Sequence, residues 1–325
     1  MGKEGRLEYV CPGMACEEAC GEYAASLLLR KEARDLNVLA RFLGQRDLPR
    51  LSRDGVAAAS ARAAVGTDGV AVAGAGAADD ASRTDATGGP GVARVASTQV
   101  DVAVLFGGSI LAGGEVLADA MRADVARAYV IVGGAGHTTE TLRERARAVW
   151  LRIDVAPGAA EAEIFDAYLR EYHGMSADLL ETRSTNCGNN ITYLLELLES
   201  RGITAESFLL MQDATMMRRM VAGLRFHRPD AAVLAYATYA ARVVADSGSL
   251  SYEDKPLGMW GIERYRTLLI GEVPRLRDDA SGYGPKGAGW IAHVDIPRDV
   301  EDAFTRLRAA HPEAVRVANP AYASR

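Results

Sequence analysis

The feature that most constrains the fold is an alternation of short apolar runs with amphipathic helical patterns between residues 100 and 237. Apolar runs bounded by glycine or polar residues are typical of strands that helices cover on both faces. Alternating β and α units imply a mainly parallel sheet with right-handed crossovers. We therefore predict an α/β fold, a Rossmann-like open sheet of about five strands with helices on both faces, its strands being 100–106, 128–132, 179–182, 207–211 and 231–235.

Outside this alternation the chain has a different character at each end. Leucines at helical spacing predict one amphipathic helix over 17–43, and similar patterns predict helices over 260–273 and 298–310. Residues 290–296 predict a sixth strand. The expected organisation is a helical N-terminal segment, an insertion, a Rossmann-like ligand-binding core, and a helical or irregular C-terminal subdomain packed on that core, over 1–51, 52–98, 99–255 and 256–325 respectively.

The insertion at 52–98 has an unusual composition. More than half of residues 55–98 are Ala or Gly, Val is the only large aliphatic residue, and Leu, Ile, Met and aromatic residues are missing. Such a segment buries too little apolar surface to offset the entropy lost on ordering. We therefore predict that it is disordered.

Charge and hydropathy exclude two kinds of partner. The chain has 37 Lys and Arg against 43 Asp and Glu, a net charge of −6, and nucleic-acid affinity depends on clustered basic residues. The longest uncharged apolar stretch, 102–114, is too short and glycine-rich for the roughly 20 residues of a membrane helix. We therefore expect no nucleic-acid partner and no membrane span. Because no apolar signal core is visible, we expect a cytoplasmic protein.

Four cysteines raise the question of metal or thiol chemistry. The spacing of Cys11, Cys16 and Cys20 matches neither a paired CxxC zinc site nor the CxxxCxxC triplet of radical enzymes, and no histidine lies nearby. We interpret them as reduced thiols around a helix start and expect no metal. Cys187 is a candidate nucleophile, although a structural role is favoured because the sequence does not show an activated thiolate.

Small and polar residues follow four of the predicted strands directly. Strand polarity places these loops at one edge of the sheet, where open α/β folds bind ligands. The loops are Gly107-Gly108-Ser109, Gly133-Gly134-Ala135-Gly136-His137-Thr138-Thr139, Ser184-Thr185-Asn186-Cys187-Gly188-Asn189-Asn190 and Gln212-Asp213-Ala214-Thr215.

The second loop suits an anion, because glycines let backbone N–H groups approach closely and a helix starts near Thr139. A tight turn that needs glycine for geometry alone is the alternative. His137 is a candidate acid/base or anion ligand, against a structural hydrogen-bonding role. The dinucleotide fingerprint GxGxxG, an acidic residue at the end of the second strand and the P-loop pattern are all missing, which weighs against NAD(P) enzymes and P-loop NTPases.

The third and fourth loops offer further polar groups. Ser184, Thr185, Asn186 and Asn189 either cap the helix that follows or hydrogen-bond a ribose or carboxylate. Asp213 is placed to cap the next helix. Outside the apolar stripe of that helix, Arg218 and Arg219 are expected at the solvent or the crevice rim, where Arg218 is a candidate anion clamp.

At these residues the chain resembles the YdcF branch of the YdcF/SanA/ElyC family, long labelled a domain of unknown function. The resemblance covers about residues 100–300, in order and with similar spacing. It rests on the second, third and fourth loops, the last continuing as Met216-Met217-Arg218-Arg219, and on Glu263-Arg264-Tyr265, Gly271-Glu272-Val273-Pro274-Arg275-Leu276-Arg277-Asp278-Asp279, Gly282-Tyr283-Gly284-Pro285 and His293-Val294-Asp295.

The resemblance implies a Rossmann-like fold of nucleotide-utilising type and S-adenosylmethionine as the cofactor, with no settled reaction. The loop residues themselves, and not the resemblance, give His137 and Asp213 as the catalytic acid/base candidates. The candidate ligand-binding residues are Gly107, Gly108, Ser109, Gly133, Gly134, Gly136, Thr138, Ser184, Thr185, Asn186, Asn189, Gln212 and Arg218.

Three interpretations remain open from the sequence. The first is a protein that binds S-adenosylmethionine or a similar nucleotide and could be a transferase. The second is an enzyme acting on a phosphate-bearing nucleotide-sugar or envelope precursor. The third is a ligand-sensing module without turnover.

Overall fold

The computed structural model of the protein describes residues 13–65 and 97–314, and the side chains of 23–62 and 97–314. In this part of the chain the elements run α1 Gly13–Leu43, α2 Arg53–Val65, β1 Val100–Phe106, α3 Ala112–Arg122, β2 Ala126–Val132, α4 Thr139–Val149, α5 Glu161–Tyr168, a π-helical turn Leu169–His173, β3 Leu179–Glu181, α6 Cys187–Ser200, β4 Ser207–Gln212, α7 Met217–His227, β5 Ala232–Ala237, β6 Val243–Asp246, β7 Ser249–Tyr252, α8 Ile262–Leu276 and α9 Arg298–Ala310.

Five parallel strands form the central sheet in the order β3-β2-β1-β4-β5. The register joins Val104 of β1 to Val130 of β2 on one side and to Leu210 of β4 on the other. This confirms the predicted Rossmann-like open sheet. The order of the strands reverses between β1 and β4, so the loops that leave these two neighbouring strands diverge and leave a crevice at their carboxyl ends.

The two faces of the sheet are covered by different helices. Alternate residues of each strand point to opposite faces, so Val104 joins one apolar cluster and Leu105 the other. The first cluster contains buried residues from α1, α6, α7, α8 and α9. The second contains buried residues from α2, α3, α4 and α5. Helices therefore lie on both faces, as predicted.

The chain after α1 covers the edge of the sheet at β5. The backbone N–H of Asp47 donates to Ala235 O at 2.9 Å, and that of Ala237 donates to Gln45 O at 3.1 Å. An antiparallel bridge joins Arg46 to Tyr236 in the same stretch. This pairing satisfies edge groups that would otherwise be exposed, and it fixes the end of α1 beside β5.

The prediction of disorder over 52–98 is wrong for its first part, because residues 53–65 form α2. Val56 is 0% exposed and Ala59 is 4% exposed, and both belong to the second apolar cluster. The prediction rested on the composition of the whole segment 52–98. Residues 53–65 alone are rich in alanine, which is the strongest helix former. Residues 66–96 lie outside the described part of the chain.

Two further predictions need correction in the C-terminal third. The sixth strand predicted over 290–296 is a loop, in which the backbone N–H groups of Trp290 and Ile291 both donate to Tyr283 O. The apolar residues that suggested a strand contact the first cluster from this loop, where Ile291 is buried and Val294 is half-buried. The antiparallel hairpin of β6 and β7 was missed.

The helix boundaries agree more closely with the sequence. The helix predicted over 298–310 is α9 exactly. The first helix begins at Gly13 rather than at residue 17, and α8 begins two residues later than predicted and ends three later. No helix within residues 13–65 and 97–314 is both long and apolar enough to cross a membrane.

Candidate functional site

The second and third loops pack against each other at the carboxyl edge of the sheet. The backbone N–H of Gly134 donates to Ser184 Oγ at 3.2 Å. A Cβ added to Gly134 would lie 2.6 Å from Thr182 O and closer still to Ser184 O, and one added to Gly136 would lie 3.1 Å from Thr185 O. Packing therefore accounts for glycine at both positions, because the backbone of the third loop occupies the space beside them.

The polar side chains of these two loops bind the starts of α4 and α6. Thr139 Oγ1 accepts the backbone N–H of Gly136 at 2.7 Å. Asn186 is the N-cap of α6, with Oδ1 accepting the backbone N–H of Asn189 at 3.0 Å. Thr185 Oγ1 donates to Asn189 Oδ1 at 3.2 Å. The capping interpretation of Asn186 is confirmed.

His137 and Thr138 occupy the outer end of the second loop. His137 is exposed, and Thr138 is the N-cap residue of α4 but makes no capping hydrogen bond through its side chain. Because β1 lies between β2 and β4 in the sheet, His137 and Asp213 follow strands that are two positions apart.

Glu161, the first residue of α5, fills the edge between the ends of β1 and β2. Its side chain is nearly buried, and Oε1 accepts the hydroxyl of Thr139 at 2.7 Å. A Cβ on Gly107 would lie 2.5 Å from Glu161 Oε2, and one on Gly133 would lie 3.0 Å from Glu161 Cβ. The two glycines make room for this carboxyl group.

Burial raises the pKa of Glu161 to about 7, although the Thr139 hydroxyl and the charge of Arg143 both lower it. Sequence reasoning looked for an acidic residue at the end of β2 and found none. The structure places one there from α5, and nothing in the linear sequence separates Glu161 from its neighbour Glu163. Only the long-range packing distinguishes them.

The crevice at the reversal of strand order lies between the first and fourth loops. A Cβ on Gly108 would meet only Gln212 Oε1, at 3.7 Å, so this glycine borders open space. A cavity of about 10 Å³ lies here, with Gly108, Gln212, Asp213 and Thr238 among its lining residues. That is about the space one water molecule needs, so a larger ligand needs the two loops to separate.

Asp213 is the most connected polar residue of this crevice. Its Oδ1 accepts the Tyr239 hydroxyl at 2.6 Å, and the backbone N–H and hydroxyl of Thr215 at 2.8 Å each. The prediction that Asp213 caps α7 is wrong, because the helix starts at Met217 with Met216 as N-cap. Asp213 instead stabilises the turn that precedes the helix.

Three tyrosines surround this carboxylate. Burial, with the charge of Asp213 as a further cause, raises the pKa of Tyr239, Tyr252 and Tyr265. All three phenols therefore stay protonated at neutral pH. The hydroxyls of Tyr252 and Tyr265 are buried and have no hydrogen-bond partner among the described residues. Buried polar groups are usually paired, so two donors without partners near Asp213 favour a ligand or ordered water in the space beside them.

A cation, Arg145 of α4, reaches the same region. Its Nη1 donates to Ser109 O at 2.7 Å, and its guanidinium lies over the Trp260 ring at 4.3 Å from the centroid. Burial lowers the pKa of Arg145, and the negative charge of Asp213 acts in the opposite direction. Sequence reasoning missed this residue because it comes from the middle of a helix and not from a loop.

The two arginines of α7 are held by other helices. Arg219 was predicted at the solvent or crevice rim, but it is mostly buried, and its Nε and Nη2 donate to Glu272 at 2.7 and 3.1 Å. Arg218 donates to Phe42 O at the end of α1 and lies over the Phe42 ring. Tertiary contacts from α8 and α1, which helical periodicity does not reveal, account for both positions.

Cys187 is half-buried at the first position of α6. Its Sγ lies 3.8 Å from Met216 Sδ, and the residue packs against the first apolar cluster. Cys11 lies outside the described residues, and of Cys16 and Cys20 only the helical backbone is described. No cluster of three or more metal-ligating side chains occurs in the described part of the chain.

A groove of about 750 Å³ borders the same edge on the β4 and β5 side. One wall is α1, and the other is the chain after β5 together with Ala214 and Tyr265. Five arginines are among the lining residues, namely Arg30, Arg34, Arg41, Arg46 and Arg242. This groove is much larger than the cavity between the first and fourth loops, and the loop motifs of the sequence do not predict it.

Comparison with the models of known protein families gives no match for this chain.

Proposed function

We propose that the protein binds S-adenosylmethionine or a related nucleotide in the crevice between the loops that follow β1 and β4. The observation that carries the proposal is the reversal of strand order at these two strands. Open α/β sheets bind ligands at this point. The resemblance of residues 100–300 to the YdcF branch favours the adenosyl ligand over other nucleotides.

The groups beside the crevice suit the parts of such a ligand. Gly108 leaves room for a close approach of its backbone. The Asp213 carboxylate can accept ribose hydroxyls and favours a positively charged sulfonium, because opposite charges attract at short range. Arg145 offers a partner for the carboxylate of the amino-acid part.

A loop movement belongs to this proposal, since the present space holds about one water. The Tyr252 hydroxyl, which has no hydrogen-bond partner within the described residues, lies near enough to Asp213 for the carboxylate charge to raise the pKa of Tyr252. A ligand that separates the two loops would gain this donor. If the protein is an enzyme, His137 and Asp213 are its acid/base candidates, and binding without turnover in an activity assay would favour a ligand-sensing module.

The test is calorimetric titration and thermal melting of the purified protein with a ligand panel. The panel contains S-adenosylmethionine, S-adenosylhomocysteine, ATP, NAD, UDP-sugars and pyrophosphate. A ligand at 100 times its dissociation constant adds about 2.7 kcal/mol of stability. We expect S-adenosylmethionine to exceed S-adenosylhomocysteine, because only the former carries the sulfonium charge.

Asp213→Asn is the matched variant, since the amide keeps the oxygen that accepts from Tyr239 and Thr215 but loses the charge. We expect its affinity for S-adenosylmethionine to fall at least tenfold while its Tm stays close to that of the unmodified protein. Asp299→Asn, on the exposed first turn of α9, serves as control. If neither adenosyl compound binds, the proposal is wrong, and a response to UDP-sugars that Asp213→Asn abolishes would favour the enzyme of a phosphate-bearing precursor.

A further inference from the structure

The groove beside α1 carries a regular stripe of cationic and small residues. Arg30, Arg34, Asn37 and Arg41 follow each other at spacings of four, three and four, so they share one face of the helix. Ala33, Ala40 and Gly44 also line the groove. Because these three residues are small, space remains between the arginines. Larger side chains at the same positions would fill that space.

The charge of the lining is all positive. Its described residues include five arginines and no acidic side chain. Arg34 is exposed, with its Nε 3.8 Å from Asp35, and Arg242 pairs with Glu253. Arg46 donates to Ala237 O at 2.7 Å. Neither Arg30 nor Arg41 has an ion pair or side-chain hydrogen bond within the described part of the chain, so both guanidinium groups are available.

The opposite wall supplies a second, independent observation. Tyr265 lines the groove and is 1% exposed, and its hydroxyl has no hydrogen-bond partner within residues 13–65 and 97–314. Asn37 holds the two walls together, because its side chain accepts the Val243 N–H at 2.8 Å and donates to Val243 O at 2.7 Å. The two walls are therefore joined at Asn37, and the groove has an unused buried donor.

We infer that this groove binds a small molecule bearing two or more phosphate groups, through Arg30, Arg34 and Arg41. Guanidinium groups bind phosphate oxygens in pairs through two parallel hydrogen bonds. Arg34 and Arg41 lie about 10 Å apart along the helix axis at a rise of about 1.5 Å per residue. A single carboxylate would engage one of these groups only, whereas a chain of phosphates engages several.

The size of the groove agrees with this ligand class. At about 750 Å³ it falls within the range of roughly 300–1,000 Å³ that small-molecule sites occupy. The groove is a second site, separate from the crevice between β1 and β4. The inference does not depend on which nucleotide that crevice binds. Tyr239, which lines the groove and donates to Asp213, lies between the two sites.

The test is calorimetric titration of the full chain with inorganic pyrophosphate at constant ionic strength. The variant is Arg34→Gln with Arg41→Gln, and the control is Arg201→Gln with Arg298→Gln, which removes the same charge from two exposed positions away from the groove. We expect the groove variant to lose at least tenfold in affinity and the control to lose less than twofold.

Two further variants separate this site from the crevice and from general attraction. Tyr265→Phe keeps the ring and removes the unpartnered hydroxyl, and we expect it to weaken pyrophosphate binding several-fold without lowering the Tm. Asp213→Asn should not weaken pyrophosphate binding, because it removes a negative charge near Tyr239 and Tyr265 of the groove wall. The inference is overturned if pyrophosphate does not bind the unmodified protein, if both arginine pairs weaken it equally, or if Asp213→Asn abolishes it.

Discussion

At the carboxyl edge of the sheet, protein fills the ends of β1 and β2, whereas the ends of β4 and β5 border an open groove. On the first side Glu161 lies between Gly107 and Gly133, and the third loop packs on Gly134. On the second side the lining of the groove is cationic, and its space is about 750 Å³. Glycine is concentrated on the closed side, in the loops after β1 and β2, whereas the loops after β4 and β5 contain no glycine before α7 and β6.

The difference teaches that glycine in a loop does not by itself indicate open space for a ligand. Glycine is needed wherever backbone or side chain comes close, and the close neighbour can be the protein itself. Glu161 from α5 closes one side, and the small residues of α1 keep the other side open. Both partners come from distant parts of the chain.

The largest effect is expected from Gly134→Ala on the closed side. Its Cβ would lie 2.6 Å from Thr182 O and closer to Ser184 O, and both are backbone atoms that cannot rotate away. Overpacking typically costs 1–3 kcal/mol and sometimes more, so we expect a loss of about 4 kcal/mol here. Thermal melting should show a Tm lower by about 10 °C.

The control for this variant is Gly261→Ala, because a Cβ there meets nothing within 4 Å and the φ angle is −64°. Its Tm should stay within about two degrees of the unmodified protein. A Gly134→Ala variant of normal stability that lost only ligand affinity would show that the third loop yields and that Gly134 faces a ligand.

The next effect is a pH dependence that comes from Glu161. Its pKa of about 7 lies above the value of 4.5 for the unfolded chain, so the folded state binds more protons between these pH values. The free energy of unfolding therefore falls as pH rises through this window, by about 3 kcal/mol at 1.4 kcal/mol per unit. Glu161→Gln should equal the unmodified protein near pH 4 and be more stable near pH 8.

Chemical denaturation across pH 4–8 measures this difference. Glu163→Gln, an exposed position on the same helix, should keep the pH profile of the unmodified protein. Should Glu161→Gln and the unmodified protein show parallel profiles, the Glu161 carboxyl group is hydrated or moves when it ionises, and the closed side is less closed than the packing indicates.

The fold could be predicted because its signals are local. Each of the five strands was predicted within two residues of its observed ends, since apolar runs and glycine boundaries lie within a few positions of each other. The hairpin of β6 and β7 escaped because its strands are short and partly exposed. Helix α2 was not predicted because alanine side chains bury little apolar surface, although that surface is enough to pack the helix against the sheet.

The candidate site could be predicted only in outline. The edge of the sheet follows from strand polarity, so the four loops were placed correctly. Their roles depend on side chains that arrive from elsewhere, namely Glu161 at β2 and Arg145 at β1. The arginine stripe of α1 was present in the sequence, but an exposed charged face is the ordinary state of a helix. Only the neighbouring wall makes it a groove.

The smallest effect on stability, and the sharpest test of the open side, is expected from Gly108→Ala. The new methyl group would meet only Gln212 Oε1, at 3.7 Å, and the φ angle is not in the left-handed region. At such a position alanine changes stability by a few tenths of a kcal/mol and can raise it, since it restricts the unfolded chain. The Tm should therefore shift by about one or two degrees.

Calorimetric titration of the Gly108→Ala variant with S-adenosylmethionine should nevertheless show weaker binding, because the methyl group occupies space that a ligand between the first and fourth loops would use. The same substitution thus separates the two sides: at Gly134 it removes stability, and at Gly108 it removes affinity. Loss of several degrees at Gly108 would mean that the crevice is packed as tightly as the edge beside β2, and the comparison would fail.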